Sequence, residues 1–123
     1  MTDAELNAHW DRLLSLSKDR FGQAMKVEGL LLMIGLQEVQ QTELFDRSIP
    51  KERKMDLMHV GMCAVLEPAG YYVRQPQDAD GWPHWDLVQP LPHMDILQQG
   101  RLLRYALVRY FGEWIAASYQ ESL

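Results

Sequence analysis

The residues whose types and spacing best suit chemistry lie on one predicted helix, the third along the chain. Asp56, His59 and Cys63 stand at positions i, i+3 and i+7, so an α-helix can project them onto one face. A carboxylate, an imidazole and a thiolate are all competent ligands for zinc or iron. In the alternative interpretation Asp56 is solvated, His59 lies at the edge of the core and Cys63 packs as a small hydrophobic residue. Because spacing alone is weak evidence, we favour the alternative and assign no metal ion or other cofactor.

Covalent catalysis is a second chemistry that Cys63 could perform. A nucleophilic cysteine needs a lowered thiol pKa and a base in an accessible pocket, whereas the neighbours Met62 and Ala64 suggest that Cys63 is buried. The four histidines are scattered along the chain, and no segment matches a nucleophile elbow, a phosphate-binding loop or a dinucleotide-binding fingerprint. We therefore assign no catalytic residues; whether the protein is an enzyme stays open, and the residues favour a function without catalysis.

Aromatic residues are concentrated in and around a predicted β-hairpin. Tyr71, Tyr72, Trp82 and Trp85 lie there, and Tyr105 lies on the last predicted helix. A two-stranded hairpin can bury only one face against its own helices, and tryptophan and tyrosine often anchor protein interfaces. These five residues are therefore our candidates for a protein-interaction surface or a homodimer contact. The alternative, in which they cap the core of a small domain, remains open.

Composition limits the class of protein and of partner. A chain of 123 residues fits a single domain, residues 1–123. The net charge of −5 disfavours nucleic acid and anionic membrane as partners. Cys63 is the single cysteine and permits no intramolecular disulfide, which suits a reducing compartment. The start Met1–Glu5 is polar and acidic rather than signal-like, so we expect a cytoplasmic protein.

The helix that must organise these residues is the second. Leu30 to Leu36 has apolar residues or glycine at every angle of a helical wheel, so a helix there has no polar face and needs other elements around it. Seven such residues are too few to cross a bilayer. Gly29 and Gly35 weaken the helix, and we expect another backbone or a large ring to approach them. The segment predicts a core helix within about residues 23–41.

Three further helices and the hairpin are predicted around this core helix. A capping box at Thr2 and Glu5 begins the first helix and Gly22 ends it. Pro50 marks the start of the third helix, whose core stripe is Met55, Met58, Met62, Val65 and Leu66, widened by Leu57, Val60, Gly61 and Ala64. Extended runs at 71–75 and 82–88 around the turn at 78–81 predict the hairpin. The last helix is predicted from about Asp95 to Ser118, with a core stripe of Ile96, Leu103, Leu107, Tyr110, Phe111, Trp114 and Ile115.

One stretch resembles a known family of DNA-binding proteins. The segment Leu66 to Gly81 is similar to the end of the recognition helix and the wing of winged-helix regulators, and Gly100-Arg101-Leu102-Leu103 looks like the start of their following helix. The resemblance implies DNA contact through the third helix and the hairpin. The charge opposes it, because residues 50–93 carry four cations and six anions, and the cations of the third helix lie only in its first turns.

These observations predict a mainly α protein, with four helices in a single domain and a β-hairpin inserted between the third and fourth helices. Its function is best stated as a protein-interaction or self-associating module, with a homodimer or an unknown protein as the partner. The alternative is a winged-helix-like DNA-binding protein. The third interpretation is a small-ligand or metal-binding protein with a pocket lined by Trp82, His84, Trp85 and Asp86.

Overall fold

The structure, a computed structural model, describes residues 1–23, 25–44, 47–91 and 96–121. In these ranges the chain is mainly helical, with five α-helices and one small antiparallel hairpin. In chain order the elements are α1 (Asp3–Phe21), α2 (Val27–Glu38), a 3-10 turn (Thr42–Leu44), α3 (Lys51–Leu66), β1 (Tyr72–Gln75), β2 (His84–Leu87), α4 (Ile96–Tyr110) and α5 (Gly112–Glu121). The mainly helical class and the hairpin are therefore as predicted.

The chain forms two compact units. One unit comprises Val27–Pro92 and holds α2, α3 and the hairpin, and the other comprises Met1–Lys26 together with His93–Leu123 and holds α1, α4 and α5.

Helix α2 is the buried centre of the Val27–Pro92 unit. Leu31 is 5% exposed and Ile34 is fully buried, as the all-apolar helical wheel predicts. Gly35 lies where a Cβ atom would overlap the backbone of Leu57, and Gly61 of α3 lies in the same way against the backbone of Leu31. The predicted close approach at Gly35 is confirmed, and the approaching group is the backbone of α3.

The buried face of α3 differs from the predicted methionine stripe. Val65 and Leu66 of that stripe are buried as predicted, but Met55 is 62% exposed, whereas Leu57, Val60 and Ala64 are buried. Gly61 explains the difference, because the missing side chain lets α2 approach that side of α3 closely and so selects the face that contains it. In the N-terminal part of α3 the core stripe is therefore formed by residues predicted only to widen it.

The hairpin follows α3 and pairs β1 with β2 in antiparallel register, with Tyr72 opposite Leu87 and Gln75 opposite His84. The predicted turn closes it, and Gly81 has a φ of 79°, which favours glycine. Tyr72 is the buried residue of β1.

In the unit that holds α1, α4 and α5, helix α1 begins and ends at the residues that the sequence predicts. The hydroxyl of Thr2 accepts the backbone N–H of Glu5 at 3.1 Å and donates to the Glu5 carboxylate at 3.1 Å. Gly22 ends the helix with a φ of 81°. The side chains of Leu6, Leu13 and Ser17 face the core of this unit.

The predicted last helix is two helices. Helix α4 ends at Tyr110 and α5 begins at Gly112, so the expectation of one continuous helix from Asp95 to Ser118 is wrong at Phe111. Gly112 follows the break, and glycine disfavours a helix interior because it loses more backbone freedom there than any other residue. Leu107 and Ile115 are buried as predicted. Asp95 and the side chain of Ile96 lie outside the described residues.

Within the described ranges, every helix is too short or too polar to span a lipid bilayer.

Candidate functional site

A cleft of about 510 Å³ lies between α3 and the hairpin in the Val27–Pro92 unit. This volume falls in the range typical of pockets for small molecules. On the α3 side, the cleft is lined by the polar side chains of Arg53, Asp56 and His59. On the hairpin side, it is lined by the four consecutive residues from Trp82 to Trp85. The complete lining is Arg53, Asp56, His59, Val60, Cys63, Trp82, Pro83, His84 and Trp85.

Trp82 is anchored from two sides. Its ring packs against the core cluster of Leu36, Ile49 and Leu57, and the guanidinium of Arg53 lies 4.8 Å from the ring centroid. Such a cation–π contact stabilises by roughly 0.5–1 kcal/mol where it is partly solvated. The Nη2 group of Arg53 also donates to Gln41 Oε1 at 2.9 Å. The indole therefore forms a fixed wall of the cleft.

Trp85 is held by a second set of contacts. Its Nε1–H donates to Glu67 Oε2 at 3.2 Å, and the guanidinium of Arg74 lies 4.7 Å from its ring centroid. Glu67 Oε1 also accepts the backbone N–H of Arg74 at 3.0 Å, and the Arg74 guanidinium forms an ion pair with Glu38. One carboxylate at the end of α3 thus links the helix to both strands and orients the second indole.

Asp78 organises the turn that carries the hairpin side of the cleft. Its Oδ1 atom accepts the backbone N–H groups of Asp80 at 3.0 Å and of Trp82 at 2.9 Å. Its Oδ2 atom lies 2.9 Å from His84 Nε2. The hydrogen bond from His84, followed by that from the Trp82 backbone, lowers the pKa of Asp78 below its ordinary value of 3.8. The carboxylate therefore stays charged at neutral pH and holds His84 in place.

The three metal-ligand candidates of α3 all line the cleft. Cys63 Sγ lies 3.6 Å from His59 Nε2, but Cys63 is only 3% exposed, and burial raises the pKa of its thiol to about 11. A thiol with this pKa is protonated at neutral pH and is therefore a poor nucleophile. In the part of the chain that the structure describes, no three such side chains lie close enough together to hold a metal ion.

The five interaction candidates differ in burial and are divided between the two compact units. Trp82 and Trp85 are half-buried in the cleft, and Tyr72 is 9% exposed and belongs to the core. Tyr71 is half-buried beside it. Tyr105 lines a different groove, of about 420 Å³, in the other compact unit. The exposed apolar side chains of the hairpin region are instead Val73, Leu87, Val88 and Leu91.

The pocket predicted around Trp82, His84 and Trp85 has a wall that the sequence reasoning did not connect with it. The side chains of Arg53, Asp56 and His59 supply that wall, whereas the fourth predicted pocket residue, Asp86, is exposed and is not part of the lining. Alternation in a β-strand places neighbouring side chains on opposite faces, yet His84 and Trp85 both line the cleft. A periodicity argument could therefore have found neither this lining nor the α3 wall opposite it.

Comparison of the chain with protein-family models, curated proteins and solved structures gave no match.

Proposed function

We propose that the protein is a small-molecule-binding protein whose site is the cleft between α3 and the hairpin. The observation that carries the proposal is the pair of tryptophan walls, Trp82 and Trp85, each fixed by contacts to charged side chains. Ligand sites combine apolar and aromatic walls with a few placed polar groups, and side chains that are already immobile lose little entropy on binding.

The proposal is tested by NMR with flat aromatic probes. Indole, benzoate and guanosine are titrated separately into ¹⁵N-labelled protein, and the four indole N–H signals are followed. At least one probe is expected to shift the signal of Trp85 saturably without shifting those of Trp10 and Trp114. Trp85→Leu should abolish this binding, and Trp114→Phe serves as the matched control. If none of the probes moves the Trp85 signal at millimolar concentration, the proposal is wrong.

Self-association is a second candidate function, supported by exposed apolar side chains on the hairpin. Leu87 is 54% exposed and Val88 is 56% exposed, and in the described residues the sheet has only two strands. Each strand therefore has an outer edge with no strand beside it, and an uncovered edge favours pairing with another chain. We propose that a second copy covers β2.

The oligomeric state tests this candidate. Light scattering over a wide range of protein concentration should show a rise in mass toward a dimer, and Val88→Lys should keep the protein monomeric. Ala117→Lys adds the same charge at an exposed position of α5 and is the control. A monomer at every concentration contradicts self-association.

The charges around the hairpin disfavour DNA contact. The turn that would serve as a wing tip carries the exposed residues Asp78 and Asp80, and residues 50–93 carry four cations against six anions. Phosphate contacts require free cations on such a surface. Winged-helix-like DNA binding therefore remains a prediction from sequence resemblance. The cytoplasm remains our proposed location, supported by the single cysteine.

A further inference from the structure

The polar groups on the α3 wall of the cleft indicate a class of ligand. We propose that the cleft binds a planar nitrogen heterocycle of the nucleobase type, stacked on the indole ring of Trp85 and recognised along its edge by Asp56 and Arg53. The inference rests on the proposed function, which is that the cleft takes a small molecule at all.

Asp56 and Arg53 have hydrogen-bonding capacity that the protein does not use. Asp56 is exposed and forms no hydrogen bond or ion pair with another described residue. Arg53 donates through Nη2 to Gln41, which leaves other N–H donors of its guanidinium without an acceptor among the described residues. The two side chains lie three residues apart on one helix, and both line the cleft. A strong acceptor therefore lies near strong donors on the same wall.

The balance of charge in the cleft selects against simple ions. Arg53 contributes one positive charge and Asp56 one negative charge, and His59 and His84 are the other titratable side chains of the lining apart from the protonated Cys63. A small anion would be attracted by the guanidinium but repelled by the carboxylate, and a small cation would meet the reverse. A neutral ligand that offers N–H donors next to acceptors satisfies both groups.

Nucleobases have this pattern along their edges. A carboxylate accepts the adjacent N1–H and N2–H groups of a guanine, and a guanidinium donates to ring nitrogens and carbonyl oxygens. Proteins that bind a single base combine such edge contacts with stacking on aromatic side chains, and one stacked base gains roughly five- to hundredfold in affinity. A cleft of about 510 Å³ has room for a base with its sugar. Guanosine is accordingly the probe that fits best.

Titration calorimetry with three probes tests the inference. Guanosine offers the hydrogen-bonding edge, N-methylindole is a flat ring without an N–H group, and guanosine 5′-monophosphate adds charge. We expect guanosine to bind at least tenfold more tightly than N-methylindole, and the monophosphate to bind no more tightly than guanosine. Asp56→Asn should weaken the binding of guanosine by about tenfold and leave the binding of N-methylindole unchanged. Glu52→Gln, an exposed carboxylate of α3 outside the cleft lining, is the matched control.

The outcomes separate the two proposals. If N-methylindole binds and guanosine binds no better, the ligand class is wrong while the small-molecule function stands. If guanosine binds equally well to the Asp56→Asn variant, edge recognition by Asp56 is wrong. Tighter binding of the monophosphate would mean that an anion is recognised, which also overturns the inference. If the cleft binds none of the three probes, the ligand class is overturned, and the small-molecule function is then decided by the Trp85 titration with indole, benzoate and guanosine.

Discussion

The carbonyl group of Leu57 occupies the space that a Cβ atom on Gly35 would need. The carbonyl carbon lies 2.7 Å from the position of that Cβ atom, and on the same pair of helices the Leu31 carbonyl carbon lies 2.9 Å from a Cβ atom built on Gly61. Two glycines, one on each helix, thus let the α2 and α3 backbones approach at two neighbouring points.

Gly35→Ala is expected to lower the free energy of unfolding by about 2 kcal/mol, because the methyl group forces the two backbones apart and outweighs a helix-propensity gain of about 1 kcal/mol. Chemical denaturation followed by circular dichroism measures the change. Gly100→Ala is the control, since Gly100 lies within α4 with open space around its Cα atom, and it should stabilise slightly. A Gly35→Ala variant as stable as the wild type would show that the helices can separate at no cost.

The sequence predicts the parts of the fold that depend on local chemistry. The polar-free wheel from Leu30 to Leu36 locates the core helix, and Thr2 and Gly22 mark the ends of α1, because capping and wheel patterns act within a few residues. The buried face of α3 cannot be predicted from local sequence, since Gly61 acts through a neighbouring helix. The cleft cannot be predicted in this way either. Arg53 and Trp82 are 29 positions apart in the numbering, and no spacing rule connects them.

Alkaline pH is expected to destabilise the Val27–Pro92 unit. Burial raises the pKa of Cys63 from 9.0 to about 11, so an unfolded chain loses this proton before the folded chain does. The contribution of the protonated Cys63 thiol to the free energy of unfolding is complete below pH 9 and is lost as the pH rises toward 11. Burial and the neighbouring Cys63 also raise the pKa of Tyr72 above 10.0. The titration of Tyr72 therefore lowers the folding stability further as the pH rises.

Denaturant titrations from pH 8 to pH 11 measure this loss. Cys63→Ala should flatten the fall in unfolding free energy that begins near pH 9, and Tyr72→Phe should flatten the part that begins near pH 10. The same slope in the wild type and in the double variant would contradict the assignment.

The His84 side chain is expected to control the titration of Asp78. Its hydrogen bond is the largest cause that lowers the Asp78 pKa below 3.8, so His84→Gln should raise that pKa toward 3.8 in an NMR titration. His59→Gln is the matched control, because His59 contacts Cys63 rather than Asp78. The charged Asp78 carboxylate contributes to folding stability above pH 3.8, and this contribution is lost as the pH falls through the lower pKa of the folded state. An Asp78 pKa that does not change in His84→Gln would remove this role.

Glu67 is expected to fix the orientation of Trp85 and thereby one wall of the cleft. Glu67→Ala removes the acceptors of both the Trp85 indole N–H and the Arg74 backbone N–H, and we expect the free energy of unfolding to fall by about 1–2 kcal/mol, since the carboxylate is partly exposed. Glu67→Gln keeps one acceptor oxygen and should lose less. The indole signal of Trp85 should exchange faster with water in both variants, with Glu52→Ala as an exposed control on the same helix. Unchanged exchange in Glu67→Ala would show that Arg74 and the strand register hold the ring without the carboxylate.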